Sequence, residues 1–314
     1  MWRVAVRRIA GAIPLLFVVL SATFLLQQLI PGDPAGFVLG STSTVQQRSQ
    51  LDATFGLHRS LIDQYLSALG NALRGDFGQS WIKGETVGHL VSSALPVTLS
   101  LVILSTLLTV VVGTALGVWG ALRRGRATDR VLQLFAGAVT AVPNYWIAIG
   151  LSYLLAVKHR VFPATGYVQL NQSPGQWLHS LVLPVLALSL APIGPVFLQS
   201  RSAMSDVLGT NYIRTLRALG LPRWRQVLKH GLRNAAAPIV TTVGFNLVGL
   251  LAGTVVVEQI FNLPGLGTLL LSGVLGHDVP VVQGVVILFA VGVIVVNLLV
   301  DLSVGALNPK ARRA

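Results

Sequence analysis

The chain has 314 residues, of which 53% are hydrophobic, 11% are charged and none is cysteine. Soluble globular domains are about a quarter charged, so this composition excludes an ordinary soluble globule and indicates a membrane protein. The lack of cysteine excludes disulfides, thiolate metal sites and cysteine nucleophiles. The net charge of +13 is compatible with nucleic acid or with an anionic membrane surface, and the placement of the basic residues decides between them.

Six stretches free of Asp, Glu, Lys and Arg predict six transmembrane helices in an all-α, polytopic fold. The shortest has 22 residues. At a rise of about 1.5 Å per residue it measures roughly 33 Å, enough to cross a hydrocarbon core of about 30 Å. The first stretch is too long for the apolar part of a signal peptide, so we predict a retained helix. The stretches are 9–32, 86–122, 131–157, 161–200, 234–257 and 279–300.

The second and fourth stretches are too long for one helix each. Prolines near their starts predict that each begins with a loop before its helix. These prolines are Pro96, Pro163, Pro174 and Pro184.

The distribution of basic residues predicts the orientation. Of the 23 Lys and Arg, 17 fall at the two termini and in the connections 123–130 and 201–233, which share one side of the membrane if there are six spans. Cytoplasmic connections carry the excess of basic residues, so both termini are predicted to be cytoplasmic. The net charge therefore reflects topology and contact with anionic lipid, and nucleic acid is not a predicted partner.

A segment of about 60 residues, 33–93, joins the first two predicted spans on the outer side. It contains short amphipathic runs such as 57–69, and it is either a loop that caps the helices or a docking surface for a soluble partner. We predict that residues 1–93, the first helix plus this extracytoplasmic segment, precede a five-helix core in residues 94–314.

The cytoplasmic connection 201–235 predicts two short helices separated by a break. Asn211 is the predicted N-cap of the first helix, and Gly220 followed by Pro222 ends it. The second is basic and amphipathic and leads towards span five. The connection thus predicts a short helix across the cytoplasmic face, and the residues alone favour an interfacial helix that rests on lipid. The predicted apolar faces are Tyr212, Leu216 and Leu219 in the first helix and Trp224, Val227, Leu228 and Leu232 in the second.

Two further features are candidates for a transport pathway. The outer loop 258–280 contains Pro264, Gly265 and Gly267 before a short apolar run, which predicts either a partly buried hairpin at the outer mouth or a loop packed on the helices. Polar side chains within the predicted spans either line the pathway or join helices. They are Asn144, Gln199, Asn246 and Asn297.

The chain lacks the motifs of common catalytic sites. It has no phosphate-binding loop, no zinc-binding His pair on a helix and no nucleophile elbow, so we predict no catalytic residues, no metal site and no ATP hydrolysis by this chain. No acid lies at the middle of a predicted span, where ion-coupled carriers usually place carboxylates.

The segment "YIRTLRALGLPRWRQVLKHGLRNAAAPI", residues 212–239, resembles the coupling segment of binding-protein-dependent ABC importer permeases of the dipeptide and oligopeptide branch. Other pieces are similar to that branch in order along nearly the whole chain. They are "PGDP" at 31–34, "FGLHRSLIDQYL" at 55–66, "RGDFGQSW" at 74–81, "LPVTLSL" at 95–101, "VPNYW" at 142–146, "FPATGY" at 162–167, "VEQIFNLPGLG" at 257–267 and "NPKAR" at 308–312.

The resemblance implies a permease subunit in a prokaryotic inner membrane. Its expected partners are a second homologous permease, two cytoplasmic ATPase subunits that bind ATP and Mg, and an extracytoplasmic substrate-binding protein. The family's E-A-A-x-x-x-G pattern falls on Arg214, Thr215, Leu216 and Gly220, where only the glycine is retained, although R-T-A-R-A-K-G is a familiar form in this branch. The implied ATPase-coupling residues are Tyr212, Arg214, Thr215, Leu216, Arg217, Ala218 and Gly220.

The sequence leaves alternatives for the transported cargo and for the class of membrane protein. The resemblance favours dipeptides or oligopeptides, and relatives of this branch also handle nickel and haem. The six histidines are scattered along the sequence, which favours peptides over a metal path. A stand-alone ion-coupled carrier is the rival from another class, and a membrane enzyme lacks a recognisable nucleophile or metal set.

Overall fold

A computed structural model describes residues 2–29, 33–40 and 43–307, with the side chains of residues 2–7 and 9 left out. Part of the "PGDP" motif and all of "NPKAR" lie outside these residues. The same holds for several of the terminal basic side chains on which the predicted orientation depends.

The described chain is built from helices, with one isolated antiparallel bridge between Gln79 and Thr86. The all-α prediction is therefore confirmed. Two π-helical turns, Ser152–Lys158 and Arg225–Gly231, continue into or out of α-helices. The α-helices are α1 Trp2–Leu29, α2 Pro34–Leu39, α3 Val45–Phe55, α4 Leu61–Leu73, α5 Val87–Leu122, α6 Ala127–Ala141, α7 Asn144–Leu151, α8 Pro174–Leu208, α9 Asn211–Ala218, α10 Leu232–Ile260, α11 Leu266–Leu275 and α12 Val279–Leu307.

Five of the described helices are long and apolar enough to cross a membrane. They are Ala10–Leu29 of α1, α5, α8, Arg225–Ile260 including α10, and α12. The helix pair Ala127–Ala141 and Asn144–Lys158 passes the same test together, but it is bent by 95°. The bend falls at Val142, whose extended backbone is the conformation that a following proline favours.

The register of α5 against α8 shows that this bent pair serves as one crossing. Ser105 Oγ donates to the Val185 carbonyl at 3.4 Å, and Thr109 Oγ1 donates to the Ser189 carbonyl at 3.3 Å. From the first hydrogen bond to the second, the donor and the acceptor both move four residues towards the carboxyl terminus, so α5 and α8 run parallel. Two parallel spans require one crossing in the opposite direction between them, and α6 with α7 supplies it. The prediction of six spans is confirmed on this basis.

Of the two predicted loops before helices, the one in the second stretch is wrong, because α5 begins at Val87 and Pro96 lies inside it. The fourth stretch does begin with a loop, which contains Pro163 and ends at the capping Ser173, although Pro184 lies inside α8. Proline is tolerated inside membrane helices because neighbouring helices and side chains satisfy the freed backbone groups.

The described chain divides into two compact units. One contains residues 99–262 with 2–5 and 295–307, and its most buried helix is α8. The other contains residues 6–98 and 263–294, and its core joins α5 to α11 and α12 through Val87, Leu269 and Val285. The predicted division at residue 93 stays a prediction.

Candidate functional site

The connection between α8 and α10 contains α9, which ends as the sequence predicts. Gly220 has a left-handed φ of 78°, a conformation that glycine adopts without a steric penalty. Its N–H donates to the Arg217 carbonyl at 3.1 Å, and the N–H of Leu221 donates to the Leu216 carbonyl at 3.2 Å. These two bonds form a complete Schellman motif, so Gly220 fixes the direction in which the chain leaves α9.

The start and the buried side of α9 differ from the prediction. The N-cap is Thr210 rather than Asn211, and it makes no side-chain capping bond. Ile213 is the fully buried side chain, while Tyr212 and Leu219, predicted to line the apolar face, are exposed. Packing against the following π-helical turn decides which side is covered, and a single helix cannot reveal that partner.

The second predicted helix is instead the π-helical turn Arg225–Gly231. Gln226 is buried, and its Nε2 donates to the Leu221 carbonyl at 2.6 Å, which ties the turn to the end of α9. Val227 is buried as predicted, but Trp224 and Leu228 are exposed. The Arg225 guanidinium lies 5.1 Å from the Trp224 ring centroid, within the range of a cation–π contact. Such π-helical insertions are frequent at functional sites.

A side-chain contact also joins the two elements. Tyr212 Oη and His230 Nδ1 are 2.7 Å apart and hydrogen-bonded, and the two rings meet edge to face with centroids 6.0 Å apart. The contact is exposed, so the basis of the α9 arrangement is one buried isoleucine, a backbone motif and a small polar contact.

We call the exposed side of this segment the connection surface. It combines basic and apolar side chains, an arrangement suited to an acidic, partly apolar groove of a protein partner or to lipid headgroups. Its residues are Tyr212, Arg214, Arg217, Leu219, Arg223, Trp224, Arg225, Leu228, Lys229 and Arg233.

A buried ion pair lies close to α9 in the sequence. Arg201 of α8 binds Asp129 of α6 through two hydrogen bonds, Nε to Oδ1 at 2.5 Å and Nη2 to Oδ2 at 2.7 Å. The N–H of Gly125 adds a third at 3.0 Å, and Asp129 is 1% exposed. This pair was not predicted from the sequence. The sequence does contain an indication of it, since Asp129 is the one acid among four arginines in residues 123–130.

Glycines of α5 bring α8 close enough for this pair to form. A Cβ atom at Gly117 would lie 2.5 Å from Ser200 Cβ and 2.8 Å from the Phe197 carbonyl oxygen, both on α8. A Cβ at Gly120 would lie 3.5 Å from Arg201 Cδ and from Asp129 Oδ1. We call the ion pair and these glycines the α8 base.

Comparison with known families identifies the chain. A family model described as the binding-protein-dependent transport system inner membrane component matches residues 113–313, and a model of the N-terminal part of such membrane components matches residues 1–102. The chain belongs to this family. It is therefore a transport component and a multi-pass protein of a bacterial inner membrane, as the sequence resemblance predicts.

Similar full-length proteins support this assignment. The oligopeptide transport system permease protein AppB of Bacillus subtilis (strain 168) is 35% identical over 97% of this chain and 98% of its own length. The glutathione transport system permease protein GsiC of Escherichia coli O1:K1 / APEC is 36% identical over 98% of each. A solved inward-facing structure of the MetNI methionine ABC transporter has a similar fold, with a TM-score of 0.58 and 18% identity over 70% of this chain and 96% of that one.

The four polar candidates for a pathway in this permease have different surroundings. Asn144 begins α7 and its Nδ2 lies 3.5 Å from where a Cβ of Gly253 would be. Gln199 is half-buried in α8, Asn297 is exposed in α12, and the buried Nδ2 of Asn246 has no hydrogen-bond partner among the described residues. Their pathway role stays a prediction.

The loop with Pro264, Gly265 and Gly267 leads into α11, a short apolar helix. The N-cap of α11 is Gly265, which has no side chain to cap the helix. Thr98 Oγ1 instead accepts the N–H of Leu266 at 2.8 Å. Gly267 is buried, so the partly buried character is confirmed and the hairpin is replaced by a helix. Its place at an outer mouth stays a prediction.

Buried acids occur at both ends of the α11 region. Glu258 is fully buried inside α10, whereas the sequence predicts a loop there because the charge-free stretch ends one residue earlier. Asp278 is also buried and accepts hydrogen bonds from Ser80 Oγ and, at 3.2 Å, from the N–H of Trp81. The described residues contain no group of three or more His, Asp or Glu suited to a metal ion.

Proposed function

We propose that this permease is one of two membrane subunits of an ATP-driven importer and that its cargo is a small peptide. The connection surface carries the mechanistic part of the proposal. An exposed helix that leaves apolar and basic side chains uncovered has the properties of a docking element for another subunit.

The proposed contact is a cytoplasmic ATPase subunit that binds α9. This assignment places both termini in the cytoplasm, in agreement with the basic residues, and leaves ATP and Mg on two partner ATPase subunits. Tyr212, Arg217 and Leu219 supply exposed side chains for the contact, and Gly220 fixes its direction. Movement of the ATPases would then reach the spans through α8 and the π-helical turn.

The remaining partners follow from the same proposal. A second, homologous permease shares the pathway, an extracytoplasmic binding protein delivers cargo, and Asn144, Gln199, Asn246 and Asn297 are the residues proposed to line the route. The proposed loop at the outer mouth contains Pro264, Gly265 and Gly267. Peptide cargo is supported by relatives named for oligopeptide and glutathione transport. Nickel or haem cargo is the alternative within the same machinery.

Reconstitution tests the class. The chain is expected to co-purify with two ATPase subunits and a second permease, and vesicles that carry the complex should take up cargo only with ATP and the binding protein. A matched preparation with a hydrolysis-deficient ATPase is the control. Uptake driven by an ion gradient, without ATPases, would overturn the importer proposal in favour of a secondary carrier.

A separate measurement tests the cargo. Calorimetry on the cognate binding protein should show binding of dipeptides to short oligopeptides, with chelated nickel and haem as controls. Binding of nickel or haem instead would replace peptide as the cargo and leave the importer class unchanged.

A further inference from the structure

The segment between α1 and α5 contains two helices of contrasting character. α3 has no buried residue among its eleven and carries polar side chains around its circumference. α4 is amphipathic: its half-buried side includes Tyr65, Ala68 and Ala72, which face the rest of the unit. Helical geometry at 100° per residue places its other side chains on two distinct flanks.

One flank of α4 is apolar and uncovered. Ile62, Leu66 and Leu73 lie within about 40° of one another around the helix axis, and they are 70%, 56% and 81% exposed. The opposite flank carries Asp63, Ser67 and Asn71, all exposed. We call the first set the α4 stripe. An exposed apolar stripe on an amphipathic helix is typical of a surface that contacts lipid or another protein.

The contacts of α4 with α1 give the level at which Tyr65 meets the span. Tyr65 Oη is hydrogen-bonded to Ser21 Oγ at 2.7 Å, and the Tyr65 ring meets Phe24 edge to face with centroids 5.5 Å apart. Ser21 lies eight residues before the end of α1, inside the apolar stretch Ala10–Leu29. Eight residues of helix correspond to about 12 Å, so Tyr65 reaches below the level where the apolar stretch ends.

The surface of α1 near this contact is apolar and exposed. Leu25, Leu26 and Leu29 are exposed on a helix long and apolar enough to span the membrane. The α4 stripe belongs to a helix that contacts this span within its apolar stretch, so both helices carry exposed apolar side chains near the contact. An amphipathic helix with an apolar flank and a polar flank, held at the end of a span, has the arrangement of an in-plane interfacial helix.

We propose that α4 lies in the membrane interface and that its stripe contacts phospholipid acyl chains of the leaflet at the carboxyl end of α1. The polar flank with Asp63, Ser67 and Asn71 faces water. On the orientation proposed above this leaflet is the outer one. The segment between α1 and α5 is then anchored in lipid through α4, and only its remaining surface is open to a soluble partner. The placement does not depend on the cargo.

The chain offers a direct test because it contains no cysteine. Single variants Ile62→Cys and Leu66→Cys, with Ser67→Cys as the matched control on the polar flank, are labelled with a nitroxide in the complete complex in phospholipid nanodiscs. The unmodified complex gives the background from cysteines of partner subunits. Collision rates with oxygen, which concentrates in acyl chains, are compared with those of a water-soluble nickel chelate.

At positions 62 and 66 we expect collisions with oxygen to exceed those with the nickel chelate several-fold, and at position 67 the reverse. Equal nickel access at all three positions would overturn the proposal. Protection of positions 62 and 66 from both reagents would also overturn it, and would indicate a protein contact: the external binding protein if protection appears only on its addition, and another permease if it is present throughout. ATP hydrolysis by each labelled complex confirms that the variant is assembled.

Discussion

The α8 base and the connection surface follow one another along the chain at the carboxyl end of α8, where Arg201 precedes α9, but they are stabilised in opposite ways. In the base, Asp129 and Arg201 are held by three hydrogen bonds in a contact that glycines on α5 make possible. In the connection surface, Leu219 and Trp224 are 70% and 60% exposed, and Ile213 is the fully buried side chain of α9.

The α8 base is therefore a structural support, whereas the connection surface is available for contact with another subunit. Replacing groups in the base removes buried interactions and therefore stability, whereas replacing groups on the connection surface removes little from the isolated fold. Under the proposed coupling role, replacing groups on the connection surface also affects how movement of the ATPase subunits is transmitted to the permease. Four substitutions test this division, beginning with the largest expected effect.

Asp129→Ala should produce the largest loss of stability. It leaves the Arg201 guanidinium without its carboxylate partner in a mostly buried position, and breaking such pairs costs about 3–5 kcal/mol. Thermal unfolding of the purified complex measures the effect. The exposed Arg217→Ala is the control and should change stability by less than about 0.5 kcal/mol.

The double variant Asp129→Ala with Arg201→Met gives a further check on the base. Removing both charges should recover much of the lost stability, because an apolar replacement of a buried pair is often neutral. If Asp129→Ala unfolds at the temperature of Arg217→Ala, the ion pair is not a structural element and the contrast between the two regions fails.

Gly117→Val tests the close approach of α5 and α8. The added side chain would begin 2.5 Å from Ser200 Cβ and 2.8 Å from a backbone oxygen, so the helices must separate, at a cost of about 1–3 kcal/mol. Gly137→Val on α6 is the matched control, because a Cβ there meets nothing within 4 Å. Equal melting temperatures for the two variants would show that α5 and α8 are not in tight contact.

Gly220→Val tests the direction of the connection surface. A β-branched residue at a φ of 78° is strained by about 1–3 kcal/mol, so the Schellman end of α9 should rearrange while membrane insertion continues. We expect loss of the ATPase stimulation that loaded binding protein produces. Gly209→Val, at a φ of −80°, controls for side-chain size. Full stimulation in Gly220→Val would contradict the coupling role of α9.

Local patterns were sufficient to predict the spans and the end of α9. Apolar stretches of membrane length and the sequence Gly220-Leu221-Pro222 each define structure within a few residues. The motifs in order along the chain also predicted the family. The prediction that prolines mark loops before helices was wrong in part. Pro96 and Pro184 lie inside helices, where neighbouring groups that a local rule omits accommodate them.

Features that depend on contacts distant in sequence were not predicted. Asp129 and Arg201 are 72 residues apart, and no periodicity links them. The buried side of α9 was assigned to Tyr212, Leu216 and Leu219, whereas packing selects Ile213. An amphipathic pattern indicates that a helix has a covered side, but the position of its neighbour decides which residues are covered.

Tyr212→Phe should have the smallest effect and sharpens the comparison most. It keeps the ring beside His230 and removes the hydroxyl that is hydrogen-bonded to Nδ1, a contact worth about 0.5–1.5 kcal/mol at most because it is exposed. Thermal unfolding of the complex should therefore match the parent. Amide hydrogen exchange in residues 211–218 should be faster, because the contact joins α9 to the π-helical turn.

The exposed Tyr145→Phe is the control for loss of a tyrosine hydroxyl elsewhere, and it should leave exchange in α9 unchanged. His230→Ala removes the same hydrogen bond from the other side. If the hydrogen bond is the contact that matters, the Tyr212→Phe and His230→Ala double variant should exchange no faster than His230→Ala alone. Additive effects, or no change in either single variant, would show that Ile213 and the Schellman motif hold α9 without the polar contact.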